Sequence, residues 1–223
     1  MSRPRYLLWA VLLVTLLAFA VRAVSLDAQS LWRDEVDALC YAYQFPYLTI
    51  QALRAAPASD LRTPCACPPP PFRVSPPPTP PTTRLAQTLT GMLHQNGPLY
   101  FFLLRGWVAL VGTSEYGMRF LSLLGGVLAV PLTYALGRRL FSRWTGLVAA
   151  LLMGISPYQT WYAQEVKMYT LVTALVLLAL YGLRRAVEGD GRRWWAAMVL
   201  ATTLAIYLHI LAALVIPVLV ACF

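Results

Sequence analysis

Three stretches of this chain hold residues able to do chemistry. Ser30 to Asp37 reads SLWRDEVD and carries Asp34, Glu35 and Asp37, three of the nine acids present. Tyr162 to Tyr169 reads YAQEVKMY and sets Gln164 and Glu165 close to Lys167. Tyr207-Leu208-His209 closes an apolar run with one of the two histidines. In the functional reading Glu165 is a second carboxylate facing Asp34 and Glu35, with Lys167 beside it to hold a phosphate. Each stretch also has a plainer reading. Acids in the first turn of a helix are favoured by its macrodipole, which explains one of Asp34 and Glu35 better than two in a row. YAQEVKMY reads equally as a solvated turn with interfacial tyrosines, and His209 as an interfacial anchor. A fourth stretch, HQNGPLY from His94 to Tyr100, marks a helix start at Gly97-Pro98. His94 there contacts an anionic group or is simply solvated.

The elements that must position these residues are membrane helices. The chain is 59% hydrophobic and 12% charged, about half the charge of a soluble domain. Its formal charge of +9 sits in small arginine clusters between apolar runs. That pattern fits the positive-inside rule and argues against nucleic acid as a partner. Tyr6–Val21 is longer than a signal-peptide core and lacks a small-residue cleavage site, so it is expected to be an uncleaved first transmembrane helix. Arg22 at its outer end is expected to snorkel towards headgroups. Residues 25–116 form a long outer loop, with a low-complexity proline-rich insert over 57–81 that is expected to be disordered. Cys65 and Cys67 lie in that insert, Cys40 and Cys222 stand alone, and no zinc or disulfide spacing appears.

Four apolar runs follow, Met118–Leu136, Leu147–Trp161, Tyr169–Leu183 and Trp194–Tyr207, and a fifth begins near Ile210. Arg138, Arg139 and Arg143 lie two spans before Arg184, Arg185, Arg192 and Arg193, so both clusters belong on one face, the cytoplasmic one. Arg3 and Arg5 hold the N-terminus on the same side. The chain must then cross twice before Arg138. Gly97–Val111, short and carrying Arg105, is therefore expected to lie along the outer interface without crossing. Asp34, Glu35, Gln164, Glu165 and His209 all fall outside. The chain stops inside an apolar run, which reads as the N-terminal part of a longer multi-spanning protein.

In order, SLWRDE, NGPLY, SEYGMRFLSLLGG, YALGRRLF, SPYQTWYAQEVKMY and YLHI resemble the membrane glycosyltransferases of the GT-C fold. They are most similar to the bacterial RgtA/B/C/D-like group, related to protein O-mannosyltransferases and the aminoarabinose transferase of lipid A. That group usually has His-Pro-Pro-Leu-Tyr where this chain has Asn96-Gly97-Pro98-Leu99-Tyr100. The resemblance implies an all-α polytopic helix bundle and one transmembrane catalytic domain over residues 1–223, in the plasma (inner) membrane of a bacterium. It implies an inverting transferase that takes a sugar from a polyprenyl-phosphate donor outside the cytoplasm. The acceptor is a glycan, lipid or protein. The loop acid corresponds to Asp34, its neighbour to Glu35 and the second-loop acid to Glu165.

The chemistry expected of such a site is specific. Asp34 is the choice for the base that takes the acceptor hydroxyl's proton. Lys167, His209, or a divalent magnesium, manganese or calcium ion held by Asp34 and Glu165 would steady the departing phosphate. His94, Asn96, Tyr100 and Gln164 complete the expected substrate contacts. A transporter or flippase-like protein is the alternative from another class, but transporters place acids near the midplane of broken helices. A non-catalytic remnant that binds polyprenyl lipid is a third reading.

Overall fold

The computed structural model describes residues 5–24, 26–28, 31–42, 97–112 and 114–221. The proline-rich insert, His94, Asn96, Cys65, Cys67 and Cys222 lie outside the described residues. Within them the chain is helical, with no strand. The helices are α1 (Arg5–Ala23), α2 (Arg33–Ala42), α3 (Leu99–Val111), α4 (Glu115–Leu140), α5 (Arg143–Ile155), α6 (Pro157–Ala163), α7 (Tyr169–Val187) and α8 (Arg192–Leu208). A 3-10 turn (Ile210–Leu214) and a short helix α9 (Val215–Ala221) end the described chain. By length and hydropathy α1, α4 and α7 are each able to cross a membrane. The chain is a helical membrane bundle.

Local chemistry sets the boundaries. Gly112 closes α3 at φ 86°, a left-handed value that a side chain rarely adopts. Ser114 then accepts from the Gly117 N–H to start α4, and Ser142 does the same for α5 through Thr145. The run Leu147–Trp161, expected to be one helix, is two. Pro157 has no N–H and holds Ser156 extended at φ −59°, ψ 120°, so α5 ends there. Ser156 then caps α6, whose first residue is that proline.

Small residues let the helices approach closely. A Cβ on Gly125 would stand 2.8 Å from the Leu171 nitrogen, and one on Gly146 would stand 2.7 Å from that of Arg138. Close backbone approach of this kind is how membrane helices gain packing without a hydrophobic driving force.

The bundle has two chemically distinct ends. At one, Arg139 pairs with Glu188, and with Asp190 at 3.2 Å. Arg185 reaches Asp190 at 2.6 Å and lies over Trp194. The last turns of α4 and α7 therefore meet, and both arginine clusters gather there. At the other end α1 finishes, α4 and α7 begin, and α8 finishes. A core of Ala38, Leu39, Tyr100, Leu104, Met118, Val166 and Leu208 fills it. α3 lies across this second end. A Cβ on Gly97, just before it, would fall 1.8 Å from the Tyr207 carbonyl oxygen, and Trp107 near its far end donates to the Gly117 carbonyl at 2.8 Å. Its 13 residues span about 20 Å, short of the roughly 30 Å hydrocarbon core. Arg105 on it is exposed.

Arg22 does not snorkel. It is fully buried, and its guanidinium donates to the carbonyls of Ala18, Met153 and Gly154.

Candidate functional site

The two acidic stretches meet at the end opposite the arginines, and Glu35 is the hinge of the meeting. Its carboxylate is wholly buried. One oxygen accepts from Arg119 Nε at 3.0 Å and from the Val166 N–H at 2.7 Å. The other accepts from Arg119 Nη2 at 2.9 Å and from the Trp32 N–H at 3.2 Å. Arg119 also donates to the Leu26 carbonyl at 2.8 Å. One bidentate ion pair thus joins the end of α1, the start of α2, the start of α4 and the loop before α7. Such a pair is tolerated in a low-dielectric site only when all its lone pairs and protons are occupied, as Glu35's are. The sequence expectation placed Glu35 beside Asp34 as a catalytic acid. Both of its oxygens accept from Arg119 and from a backbone N–H, and through them it holds α2 against the Glu165 loop.

Asp34, the preceding residue in the first turn of α2, is exposed and makes no hydrogen bond or ion pair with the described residues. Glu165 precedes Val166, the residue clasped by Glu35, and is 6% exposed. Burial pushes its carboxyl above the usual range, partly offset by the Trp161 side chain. The negative charges of Glu35 and Asp34 push it further up, and Lys167 pulls it back. The two candidate carboxylates therefore lie within electrostatic reach of each other and differ in environment, one solvated and one enclosed.

A raised folded pKa means that the folded protein holds this proton more tightly than the unfolded chain does. The stability so gained is complete below about pH 4 and is lost as pH rises through the folded value. Glu165→Gln removes the titration. Its unfolding midpoint should therefore vary less than the parent's as pH rises above about 4. Equal pH slopes for the two proteins would remove this account of Glu165.

The loop between α6 and α7 is held on its other side by Ser122 of α4. The Ser122 hydroxyl donates to the Lys167 carbonyl at 2.7 Å, and the Thr170 hydroxyl donates to the Ser122 carbonyl at 2.6 Å. Lys167 itself is half-buried. Gln164, expected as a substrate contact, instead spends its side-chain amide on the carbonyls of Arg22 and Val24, at 3.1 and 3.0 Å. Tyr100 is 1% exposed, and its hydroxyl has no hydrogen-bond partner among the described residues. Burial pushes that phenol up, with Ser122 and Glu35 nearby. His209 stands at the end of α8, its ring 5.7 Å from that of Tyr169. Its Nδ1 accepts from the Leu211 N–H at 3.2 Å, and burial pushes its pKa down. The accepting Nδ1 leaves Nε2 as the ring's donor, and the lowered pKa disfavours the cation. No group of three or more His, Cys, Asp or Glu side chains able to hold a metal occurs among the described residues. The expected metal site has two carboxylates there, Asp34 and Glu165.

The family described as dolichyl-phosphate-mannose-protein mannosyltransferase matches residues 95–223, more than half of the chain. The chain belongs to that family. It is one of the GT-C glycosyltransferases, so the protein is a membrane glycosyltransferase of the mannosyltransferase type. No curated protein and no solved structure matches it. The mannosyltransferase match covers Arg119, Glu165, Lys167 and His209. Asp34 and Glu35 precede the matched residues, and the Glu35 contacts with Arg119 and Val166 tie them to it. Arg119 is the residue that sequence reasoning missed. A signal was present: it is a lone arginine inside the apolar stretch GMRFLSLL, where a charge needs a partner.

Proposed function

We propose that this mannosyltransferase-family chain carries the acid site of an inverting transferase that works on the extracytoplasmic face of the plasma membrane. It moves a sugar from a polyprenyl-phosphate donor to a hydroxyl on a glycan, lipid or protein. Residues 1–223 are read as belonging to one transmembrane catalytic domain. The observation that carries the reading is the Glu35 clasp. It brings the Asp34 turn and the Glu165 loop together at the bundle end away from both arginine clusters.

Solvated Asp34 takes the proton of the acceptor hydroxyl as its oxygen attacks the anomeric carbon. The bond from that carbon to the donor phosphate breaks on the opposite side, and the electron pair leaves with the phosphate. Lys167 supplies positive charge to the departing phosphate, and His209 a hydrogen-bond donor. A magnesium, manganese or calcium ion would be held by Asp34 and Glu165 and would supply positive charge to the departing phosphate. His94 and Asn96, which lie outside the described residues, and Tyr100 are read as further substrate contacts. A lipid-borne donor explains why the acids stand at the end of a membrane bundle, since the hydrocarbon tail stays in the bilayer.

Cysteines placed singly at positions 34, 165 and 209, with the native cysteines removed, should label in intact cells with a membrane-impermeant thiol reagent. Tags at Gln95 and Ser114 should report the same side, because α3 lies across the bundle end. Labelling of position 165 only after lysis would place the site in the cytoplasm and end this reading.

A further inference from the structure

Arg22 ends the apolar stretch of α1 and is buried with only carbonyl oxygens as partners among the described residues. Its Nη1 donates to Ala18 at 3.1 Å and to Gly154 at 2.8 Å, and its Nη2 donates to Met153 at 3.0 Å. Met153 and Gly154 lie in the last turn of α5, whose carbonyls have no helical partner once Ser156 turns extended and Pro157 offers no N–H. Away from water such carbonyls are costly unless a donor reaches them, and a cation is also favoured by the negative end of the helix dipole. The same turn of α1 holds the other side of the break. Gln164, the residue after α6, donates to the carbonyls of Arg22 and Val24. Gly126 of α4 leaves the room: a Cβ there would lie 3.3 Å from Arg22 Nε and 3.1 Å from the Ala163 methyl. The whole stretch from Gly154 to Gln164 is therefore fastened at both ends to Arg22–Val24, and Glu165 is the next residue.

We propose that Arg22 is a positioning residue: together with Gln164 it clamps the α5–α6 break to the end of α1 and so sets where Glu165 stands relative to Asp34. The inference rests on the role given to Glu165 above. A guanidinium is needed because it spans two successive carbonyls and its own helix at once, which an ammonium on a flexible stem does not.

The test uses the full chain in lipid nanodiscs, with amide hydrogen exchange and with transfer of mannose from mannosyl polyprenyl phosphate. In Arg22→Met, exchange over residues 157–168 should quicken about 10- to 100-fold, the range expected when buried carbonyls lose their donors, with residues 115–140 unchanged. The turnover number should fall about 100-fold, as for a displaced catalytic group, with KM little altered. Arg22→Lys should restore part of both. Adding Gln164→Ala to Arg22→Met should quicken exchange little further, since the two side chains fasten one segment. Unchanged exchange over 157–168, or quickening spread over the whole bundle, would overturn the clamp. Local quickening with an unchanged turnover number would overturn the positioning role. A parent protein that transfers no sugar from mannosyl or other glycosyl polyprenyl phosphates would count against the proposed function, while the exchange measurements would still decide the clamp.

Discussion

Asp34→Asn should lower sugar transfer from a polyprenyl-phosphate donor by about 100- to 10,000-fold, the usual cost of losing a general base. Asp34 is the acid of this site with open solvent access and no competing partner among the described residues. The next residue, Glu35, is fixed by Arg119 and Val166, so α2 stays in place when Asp34 changes. Asparagine keeps the size and the hydrogen-bonding reach and loses the negative charge and, with it, the ability to take a proton. The competing account makes Asp34 a first-turn acid that interacts with the helix dipole, a stabilising effect of about 0.3–1 kcal/mol. The two accounts separate cleanly. A base predicts a well-inserted protein that binds the donor and does not transfer. A dipole role predicts a slightly less stable protein with near-parental transfer. Reconstituted vesicles loaded with mannosyl polyprenyl phosphate provide the measurement, with insertion checked separately. Transfer at the parental rate would leave the dipole account standing alone.

Arg119→Met should destabilise the protein by about 3–5 kcal/mol, because it strands Glu35 as a buried charge whose remaining partners are backbone N–H groups. The Leu26 carbonyl loses its donor in the same substitution. Removing both charges is a different experiment. Arg119→Met combined with Glu35→Met should recover much of the loss, since an apolar pair of similar volume is often as stable as a buried ion pair. A double-mutant cycle by thermal unfolding in detergent reads the coupling directly. Additive losses would mean that the pair is not what holds the two loops. The double variant also separates stability from positioning. It should unfold close to the parent and yet transfer sugar poorly, because nothing then fastens the Val166 N–H, and with it Glu165, to the Asp34 turn.

The amino-acid sequence by itself determined the helical membrane class, the long apolar helices and the grouping of the two arginine clusters. These follow from run length, hydropathy and charge spacing, which are properties of short windows read one at a time. It also indicated that Gly97–Val111 is too short and too charged to span, and α3 does lie across one end of the bundle. The resemblance carried by the ordered motifs agrees with the mannosyltransferase family match. What the tertiary structure decided was pairing. Glu35 and Arg119 are 84 residues apart, and Glu35 and Val166 are 131 apart, so no window contains both partners. Arg22 read as a snorkelling end residue because its neighbours in sequence are lipid-facing. Only the break at Ser156–Pro157, packed against it from a different helix, turns it inward to the Met153 and Gly154 carbonyls. Gln164 read as a free polar group for the same reason, until the end of α1 offered it two carbonyls. Apolar periodicity tells a chain which segments to bury. The partner of each buried polar group is set by which backbone ends the packing leaves unsatisfied, and that is known only once the helices have met.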